Sequence, residues 1–492
     1  MKKFRIKNSL AIILFHLLLL LSCRKESQTD REIIATAGER NLDWQQIQRS
    51  FELNPKWGKG ITYGEAYINQ INYLIDQKLF AQAALSQNLH QDSLVSAYLN
   101  FITEKELIKE LYRQVVASEI NISEDEFQKA YEFSKKKVYF NYILTTKSGN
   151  AQHYLDKLKN TEFEEIMLVD PAKDRKGISL DATFGDLEPA IEQEIFEMEE
   201  EEIRGPIKVS EGYMIVQVTG GTIDKFTSEY DYAHTKNKLQ KILFERKAAP
   251  LANAYIKEVM LDKDLELNPP VFYEISRQFS QIVQNKTSDN PLPVYLSDEE
   301  IKLSRNHLED ILDEVLITYR DGQMTVGEFL GILGNMPAGY RPQVKMVSQL
   351  KNAIGVVVRN KYLAEEARKK DLHKHPTVRR EIEIQKDEIL ARQWLLNKRS
   401  GLVITEEDLI DFQESPEYRR VLQKFLQNAA QDQISDFYSD MKFAQLKLKL
   451  TDSLRYAYTV KIDSVLLFQK VKNSRDIITH DPVKFVVRDM YY

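Results

Sequence analysis

The two halves of this chain repeat each other at a constant offset of 282 or 283 residues, and this repetition constrains the fold more than any other feature of the sequence. Each half contains a short apolar strand, a long amphipathic helix followed by a turn, and the N-terminus of a further helix. Segments 33–35 and 41–43 match 315–317 and 323–325, respectively. Segments 78–84, 88–89 and 122–127 match 361–367, 371–372 and 404–409, respectively. Chance can supply one such match, whereas several in register predict a duplicated helical lobe.

Residue types at the matched positions predict the same local structure in both halves. Asp43 and Thr325 are N-cap residue types that stand ahead of helices. Ser123–Glu126 has the spacing of a capping box, and Thr405–Asp408 is a near variant of it. Apolar residues at spacings of three and four predict amphipathic helices whose apolar sides face a core. These stripes lie in 71–79, 101–116, 239–260, 350–367 and 382–396.

The two halves diverge after the last matching segment. In the first half, a compact α/β segment, Lys137–Thr219, reads as an insertion, and the helix 239–260 with the strand-like Leu265–Leu267 closes the half. In the second half, a helix around 422–448 and Val460–Ile462 correspond to that closing pair. We expect each half to pack against its own closing helix. The predicted domains are a signal peptide 1–22, a helical lobe 23–136, an inserted α/β domain 137–220, a closing helix 221–285, a linker 286–314 and a second lobe 315–492.

The N-terminus has the features of an export signal. Basic residues precede an apolar run, Leu10–Leu21, which is too short for the roughly 20 residues of a spanning helix. The run ends in Leu20-Leu21-Ser22-Cys23, which resembles the lipobox of bacterial lipoproteins. This resemblance implies that Cys23 is lipidated and that the chain faces the periplasm from a membrane, expected to be the outer membrane. The alternative is an ordinary signal peptide with an incidental cysteine. Cys23 is the only cysteine, so one copy cannot form a disulfide.

Composition limits the kinds of ligand that the chain is expected to bind. Without the signal peptide, 64 Lys and Arg stand against 74 Asp and Glu, and this acidic balance disfavours binding to nucleic acid or anionic lipid. His373-Lys374-His375 has too few neighbouring ligands for a metal site, and a solvated helix end is the favoured interpretation. The acidic run 197–202 lacks the glycine-punctuated spacing of a calcium loop. We therefore expect no cofactor and no metal.

The segment from Val138 to Val218 resembles a parvulin-type, PpiC-like peptidyl-prolyl isomerase domain, and the helices around it resemble SurA- and PpiD-type periplasmic chaperones. The motifs that carry the resemblance are Val138–Leu144, Glu162–Ile166, Gly177–Leu180 in place of a Gly-Gly-Asp-Leu turn, Gly205–Ile207 and the hairpin Glu211–Tyr213. The resemblance implies a mainly α fold with an inserted α+β parvulin-like domain and duplicated SurA-type helical lobes.

The resemblance also identifies the positions where a parvulin carries its site residues. The two family histidines are replaced by Tyr142 and Met214, and Asp170 stands near the polar or thiol residue of the family, where a turn residue is the favoured interpretation. The proline pocket corresponds to Leu187, Ala190 and Ile191, which offer less aromatic surface than the family's Met and Phe. The scaffold is therefore expected to have weak or no isomerase activity.

The function expected from these features is that of a membrane-tethered chaperone for unfolded or nascent exported polypeptides, outer-membrane proteins among them. One alternative is an active, weakened prolyl isomerase that uses Tyr142 and Asp170. Another is a structural assembly lipoprotein with one dedicated partner. The duplicated lobe favours broad polypeptide binding.

Overall fold

The computed structural model describes residues 32–54, 62–169, 175–224, 229–286, 295–344, 346–416 and 431–473. The predicted signal peptide, Cys23 and Asp170 lie outside these ranges. Within them, no helix has the length and apolar character needed to cross a bilayer. The chain divides into two compact units, which we call unit 1, with the described residues 32–102 and 379–473, and unit 2, with 103–378.

The described elements are mainly helices, and one four-stranded sheet interrupts them. The first repeat and the inserted segment contain β1 Ile33–Ala37, β2 Arg40–Asp43, α1 Trp44–Leu53, α2 Tyr63–Ser86, α3 Ser93–Val115, α4 Glu124–Ser134, β3 Lys136–Thr145, α5 Ser148–Lys157, α6 Phe163–Val169, β4 Arg175–Thr183, α7 Pro189–Glu197, β5 Ile203–Val209 and β6 Gly212–Ile223. The remaining elements are α8 Glu229–Met260, β7 Glu266–Leu267, α9 Pro269–Lys286, α10 Asp298–His307, β8 Val315–Tyr319, β9 Gly322–Thr325, α11 Val326–Gly334, α12 Val347–Lys369, α13 Pro376–Ser400, α14 Glu406–Glu414, α15 Gln431–Ala457, β10 Val460–Ile462 and α16 Ser464–Asn473. The predicted fold class is confirmed.

The hairpins β1–β2 and β8–β9 have the same register. Ala35 pairs with Leu42 in the first, and Ile317 pairs with Met324 in the second, each after a register shift of the same kind. The helix caps agree as well, because Asp43 and Thr325 each accept a hydrogen bond from the third backbone N–H that follows. The duplication predicted from the sequence is thus present in the backbone.

The residues that follow the C-termini of the long helices also match. Asn88 after α2 and Asp371 after α12 both adopt a left-handed backbone, each with a φ of 57°. Asn and Asp tolerate this conformation better than other residues with a side chain. The predicted capping boxes at Ser123–Glu126 and Thr405–Asp408 are confirmed.

The closing elements are exchanged between the repeats. Strand β10 of the second repeat pairs with β1, so that Ile462 lies opposite Ala35, and β7 of the first repeat pairs with β8, so that Leu267 lies opposite Ile317. The prediction that each half packs against its own closing helix is therefore incomplete. Helix α8 contacts α4 of its own half and also α12 of the second half, and α15 contacts α14 of its own half and also α2 of the first half. Both closing strands are short and contain one charged residue each, and both hairpins have the same register, so local sequence does not decide between the pairings.

Helix α13 takes part in the same exchange. It belongs to the second repeat, yet its Arg380 Nη2 lies 2.7 Å from Asp43 Oδ1 and its Glu383 Oε2 lies 2.9 Å from Arg40 Nη1, both in the first hairpin. Unit 1 therefore combines the first hairpin, α1 and α2 with α13, α14, α15, β10 and α16 of the second repeat.

The predicted linker 286–314 is not a linker in its described part. Residues 298–307 form α10, and Ile301 and Leu308 lie in one buried core with Phe329 and Leu330. The proline-containing part of the prediction falls in 287–294, outside the described residues. A run of charged residues concealed the amphipathic pattern of α10, whose buried side is narrow.

The inserted segment is an antiparallel sheet in the order β4-β3-β6-β5, with α7 on one face and α5 and α6 on the other. Its two ends meet, because Lys136 lies opposite Ile223 and Asp224 N donates to Lys135 O at 2.8 Å. The chain thus enters and leaves the segment at one place, as expected of an insertion.

Candidate functional site

Tyr142 and Met214, which the sequence resemblance assigned to the histidine positions of a parvulin, lie on one face of the sheet. Tyr142 on β3 is opposite Val216, and Leu144 is opposite Met214 on β6. Because side chains alternate along a strand, Tyr142 and Met214 point to the same side. Both side chains are half-buried and pack against the core that contains Val216. The structure therefore brings together the two residues that the sequence singled out.

The ring of Tyr142 lies directly over Gly177. A Cβ atom placed on Gly177 would come within 2.3 Å of Tyr142 Cε1, so only glycine leaves room for the ring there. Gly177 belongs to strand β4 and not to the turn expected from the sequence. Within the described residues, the Tyr142 hydroxyl has no hydrogen-bond partner. The ring is thus held by packing, and no polar group of the described residues orients its hydroxyl.

The residues predicted to form the proline pocket have three different environments. Leu187 is half-buried against the same core as Tyr142, Ile191 is 2% exposed inside that core, and Ala190 on the first turn of α7 is exposed. The side chain of Ile191 supports the sheet, and Ala190 offers one methyl group to solvent.

A buried polar pair on the opposite face of the sheet was not predicted. Asn141, 1% exposed, donates through Nδ2 to Gln217 Oε1 at 3.2 Å, and Gln217 Nε2 donates to Glu201 Oε2 at 3.1 Å. A buried amide is costly unless it is hydrogen-bonded, so this chain fixes the register of β3 on β6. The polar residue within Phe140-Asn141-Tyr142 is the sequence signal for it.

The sheet is anchored to α8 by a buried ion pair. Glu192, 1% exposed, accepts hydrogen bonds from Gly185 N and from Arg246 Nη2, each at 2.6 Å. The Arg246 guanidinium lies 4.6 Å from the centre of the Phe184 ring. These contacts hold α7 and its preceding turn against α8.

A second anchor joins α4 to α8. Glu126 Oε1 lies 2.7 Å from Lys247 Nζ, and the Glu126 side chain also caps α4 at Ser123. The hydrogen bond from Lys247, followed by the one from the Ser123 backbone, lowers the pKa of Glu126 to about 2.

The histidines that suggested a metal site each lie beside one carboxylate. His373 Nε2 is 3.8 Å from Asp371 Oδ1, and His375 Nδ1 is 3.6 Å from Glu110 Oε1. Over the described ranges, no three metal-ligating side chains come together.

The family model described as the PPIC-type PPIASE domain matches residues 122–228. These residues comprise α4 and the inserted sheet, and the resemblance to a parvulin-type domain noted in the sequence is confirmed for them. No curated protein matches the chain significantly.

Several solved structures are similar to parts of the chain. A PrsA peptidyl-prolyl isomerase of Bacillus anthracis is 17% identical, with 38% of this chain and 96% of that one covered and a TM-score of 0.23. A Campylobacter jejuni protein, one of two described as SurA-like chaperones, is 17% identical, with coverages of 48% and 100% and a TM-score of 0.20. PrsA of Bacillus cereus is 15% identical, with coverages of 57% and 100% and a TM-score of 0.23. At these identities and TM-scores, the likenesses carry no argument about activity.

Proposed function

We propose that this protein is an exported, lipid-anchored chaperone that binds unfolded polypeptides, and that its PPIC-type domain has weak or no isomerase activity. The observation that carries the proposal is the pair Tyr142 and Met214, which share one face of the sheet at the positions of the family's histidines. The domain supplies the scaffold, and these two residues change its chemistry.

Prolyl isomerisation needs groups that the domain lacks at these positions. Rotation about the peptide bond has a barrier of about 18–20 kcal/mol, and a parvulin lowers it with an oriented polar network beneath a fitted ring pocket. Tyr142 offers one hydroxyl with no partner among the described residues, and the Met214 thioether is only a weak acceptor. The buried Ile191 and exposed Ala190 supply little of a ring pocket. Catalysis by this site should therefore be slight.

Chaperoning requires accessible apolar surface, which the described residues provide. Tyr456 at the end of α15 is 96% exposed, Phe468 on α16 is 71% exposed, and Leu448 and Val465 are also largely exposed. Exposed apolar side chains are the surface that such an interaction needs. They support binding to unfolded chains that expose apolar segments of their own.

The N-terminal sequence supports the location in this proposal. Lipid on Cys23 would tether the chain to the outer membrane with its folded part in the periplasm, where unfolded outer-membrane proteins pass. Such clients are apolar on alternate residues and aggregate when unprotected.

Two assays on the same protein test the proposal. Isomerisation of a short Xaa-Pro peptide should barely exceed the uncatalysed rate, and Tyr142→Phe should not change it. The protein should suppress the light scattering of an unfolded outer-membrane β-barrel protein, and Tyr142→Phe should suppress it equally. Strong isomerase activity that Tyr142→Phe abolishes, together with no effect on aggregation, would instead identify the protein as an enzyme.

A further inference from the structure

Two cavities lie at equivalent positions in the two units. The first is lined by α2, α13 and α15 in unit 1, and the second by α12, α3 and α8 in unit 2, which are the corresponding helices. The corresponding lining residues at the repeat offset are Phe80 and Leu363, Ala391 and Ile108, Leu395 and Tyr112, and Arg399 and Val116. Duplication therefore produced two equivalent sites, which have diverged.

The site in unit 2 is closed. Its volume is about 10 Å³, which is room for one water molecule at most. The lining is apolar, and Tyr112 fills the space where unit 1 has Leu395. Burial, followed by the charge of Glu245, raises the pKa of Tyr112 to about 12, and its hydroxyl has no partner among the described residues. The site in unit 2 is therefore part of the hydrophobic core of that unit.

The site in unit 1 is open, and we call it the unit 1 groove. Its volume is about 310 Å³, at the lower end of the roughly 300–1,000 Å³ of ligand pockets. Phe80 and Ala391, each 3% exposed, form its floor, and Phe443 and Leu395 add apolar walls. An opening of this size accepts one or two large side chains of a polypeptide.

The rim of the unit 1 groove carries an excess of basic charge. Asp76 already has an ion-pair partner, because its Oδ1 lies 2.6 Å from Arg455 Nη2. Arg399 forms an ion pair with Asp440. Within the described residues, Arg392 and Lys447 have no ion pair.

Glu388 is the acidic rim residue that remains, and its charge contributes to the raised pKa of Tyr73, of which burial is the larger cause. Two basic charges against one acidic charge make the rim attractive to an anionic group next to an apolar one.

We infer that the unit 1 groove binds an extended polypeptide segment that presents a large apolar or aromatic side chain beside a carboxylate. This inference rests on the proposed chaperone function and specifies where, and by what chemistry, a client is held. The apolar floor accepts the ring, and Arg392 and Lys447 select a neighbouring Asp or Glu. The equivalent position in unit 2 has no room for such a segment.

Fluorescence anisotropy with the full-length protein tests the inference. The probe is a fluorescein-labelled peptide, Gly-Ser-Asp-Phe-Gly-Tyr-Asp-Ser-Gly. One analogue has Lys in place of both Asp residues, and another has Ala in place of both aromatic residues. We expect the first peptide to bind most tightly, with at least about tenfold weaker binding for each analogue.

Charge reversal at the rim gives the sharpest comparison. Arg392→Glu with Lys447→Glu should weaken binding of the acidic peptide by about tenfold or more and favour the Lys analogue. The matched control, Arg379→Glu with Lys449→Glu, makes the same charge change at exposed positions on the same two helices outside the groove, and it should change the affinity by no more than about twofold. Ala391→Trp, which fills the floor, should abolish binding, with circular dichroism reporting on its fold.

The outcomes separate the inference from the proposed function. Equal peptide affinities for the rim variant and its control, or no peptide binding by the wild type, would overturn the groove assignment even if aggregation is still suppressed. A rim variant that changes the molecular mass in light scattering but not the peptide affinity would assign the groove to a second copy of the chain. If the wild type fails to suppress aggregation at all, the proposed function fails, whatever the peptides show.

Discussion

Lys78 and Asp387 form a buried ion pair that joins the two repeats within unit 1. Lys78 Nζ on α2 lies 3.2 Å from Asp387 Oδ2 on α13, and the side chains are 5% and 4% exposed. Arg40 Nη2 lies 3.4 Å from the other carboxylate oxygen. Burial raises the pKa of Asp387 although both cations act to lower it. A charge pair in this position is sensitive to the loss of either partner.

Removing one partner of this pair should be far more costly than removing both. Lys78→Met leaves the Asp387 carboxylate buried with Arg40 alone, and we expect a loss of about 3–5 kcal/mol in the free energy of unfolding. The double variant Lys78→Met with Asp387→Leu should recover most of that loss, because no isolated charge remains buried. Urea unfolding followed by circular dichroism measures both. Lys129→Met, which breaks the exposed pair with Glu197, is the control and should cost at most about 1 kcal/mol. Equal costs for Lys78→Met and the control would contradict the role of the pair.

Deleting residues 136–223 should leave a cooperatively folded helical protein. The ends of the segment are already joined by the 2.8 Å hydrogen bond between Asp224 N and Lys135 O, so a Gly-Ser linker can replace it without moving α4 or α8. The deletion uncovers Phe133 and Leu239, which pack on the sheet. We therefore expect stronger binding of a hydrophobic dye, reduced again by Phe133→Ser. A gradual thermal transition in both deletion variants would show that the sheet is integral to the fold.

The contact between α4 and α8 should weaken in acid. The lowered pKa of Glu126 means that its ionised form is favoured in the folded state, so its contribution is complete above the unfolded value of 4.5 and is lost as the pH falls towards about 2. Glu126→Gln keeps a capping side chain but removes the charge. The variant should be less stable than the wild type near about pH 6, and the difference should vanish near about pH 2. Glu124→Gln, in the same helical turn, is the control and should show no such convergence.

Lipid attachment should depend on Cys23. Growth with a radioactive fatty acid should label the wild-type protein, and Cys23→Ala should give an unlabelled form because no thiol accepts the diacylglyceryl group. Ser27→Ala, four residues further on, should be labelled as the wild type is. Equal incorporation into Cys23→Ala would rule out the lipoprotein assignment.

Sequence patterns predicted the parts of the fold that are determined locally. The capping boxes at Ser123 and Thr405 depend on a side chain and a backbone N–H three residues apart, which any short window contains. The partner of Ile462 was not predictable in this way, since either hairpin presents the same register. The choice between them is made by the packing of whole helices.

The candidate site likewise has a part that the sequence predicted and a part that it did not. The resemblance located Tyr142 and Met214, and strand alternation places them on one face. The unit 1 groove escaped prediction because its residues come from three helices that are distant in sequence. Even the repeat did not reveal it, since the corresponding lining positions hold different side chains, such as Leu395 in unit 1 and Tyr112 in unit 2.

The exchange of closing strands sets the order in which the chain can be completed during synthesis. Ile317 follows its partner Leu267 by 50 positions, whereas Ile462 follows Ala35 by 427. At roughly 5–20 residues per second, the first hairpin waits about 20–85 s for its third strand. The longer closure also costs about 2 kcal/mol more in chain entropy. Unit 2 can therefore mature first, and the residues that emerge earliest from the ribosome are the last to find their partners. A chain truncated before Val460 would keep the three-stranded sheet of unit 2 and would leave β1 without its third strand.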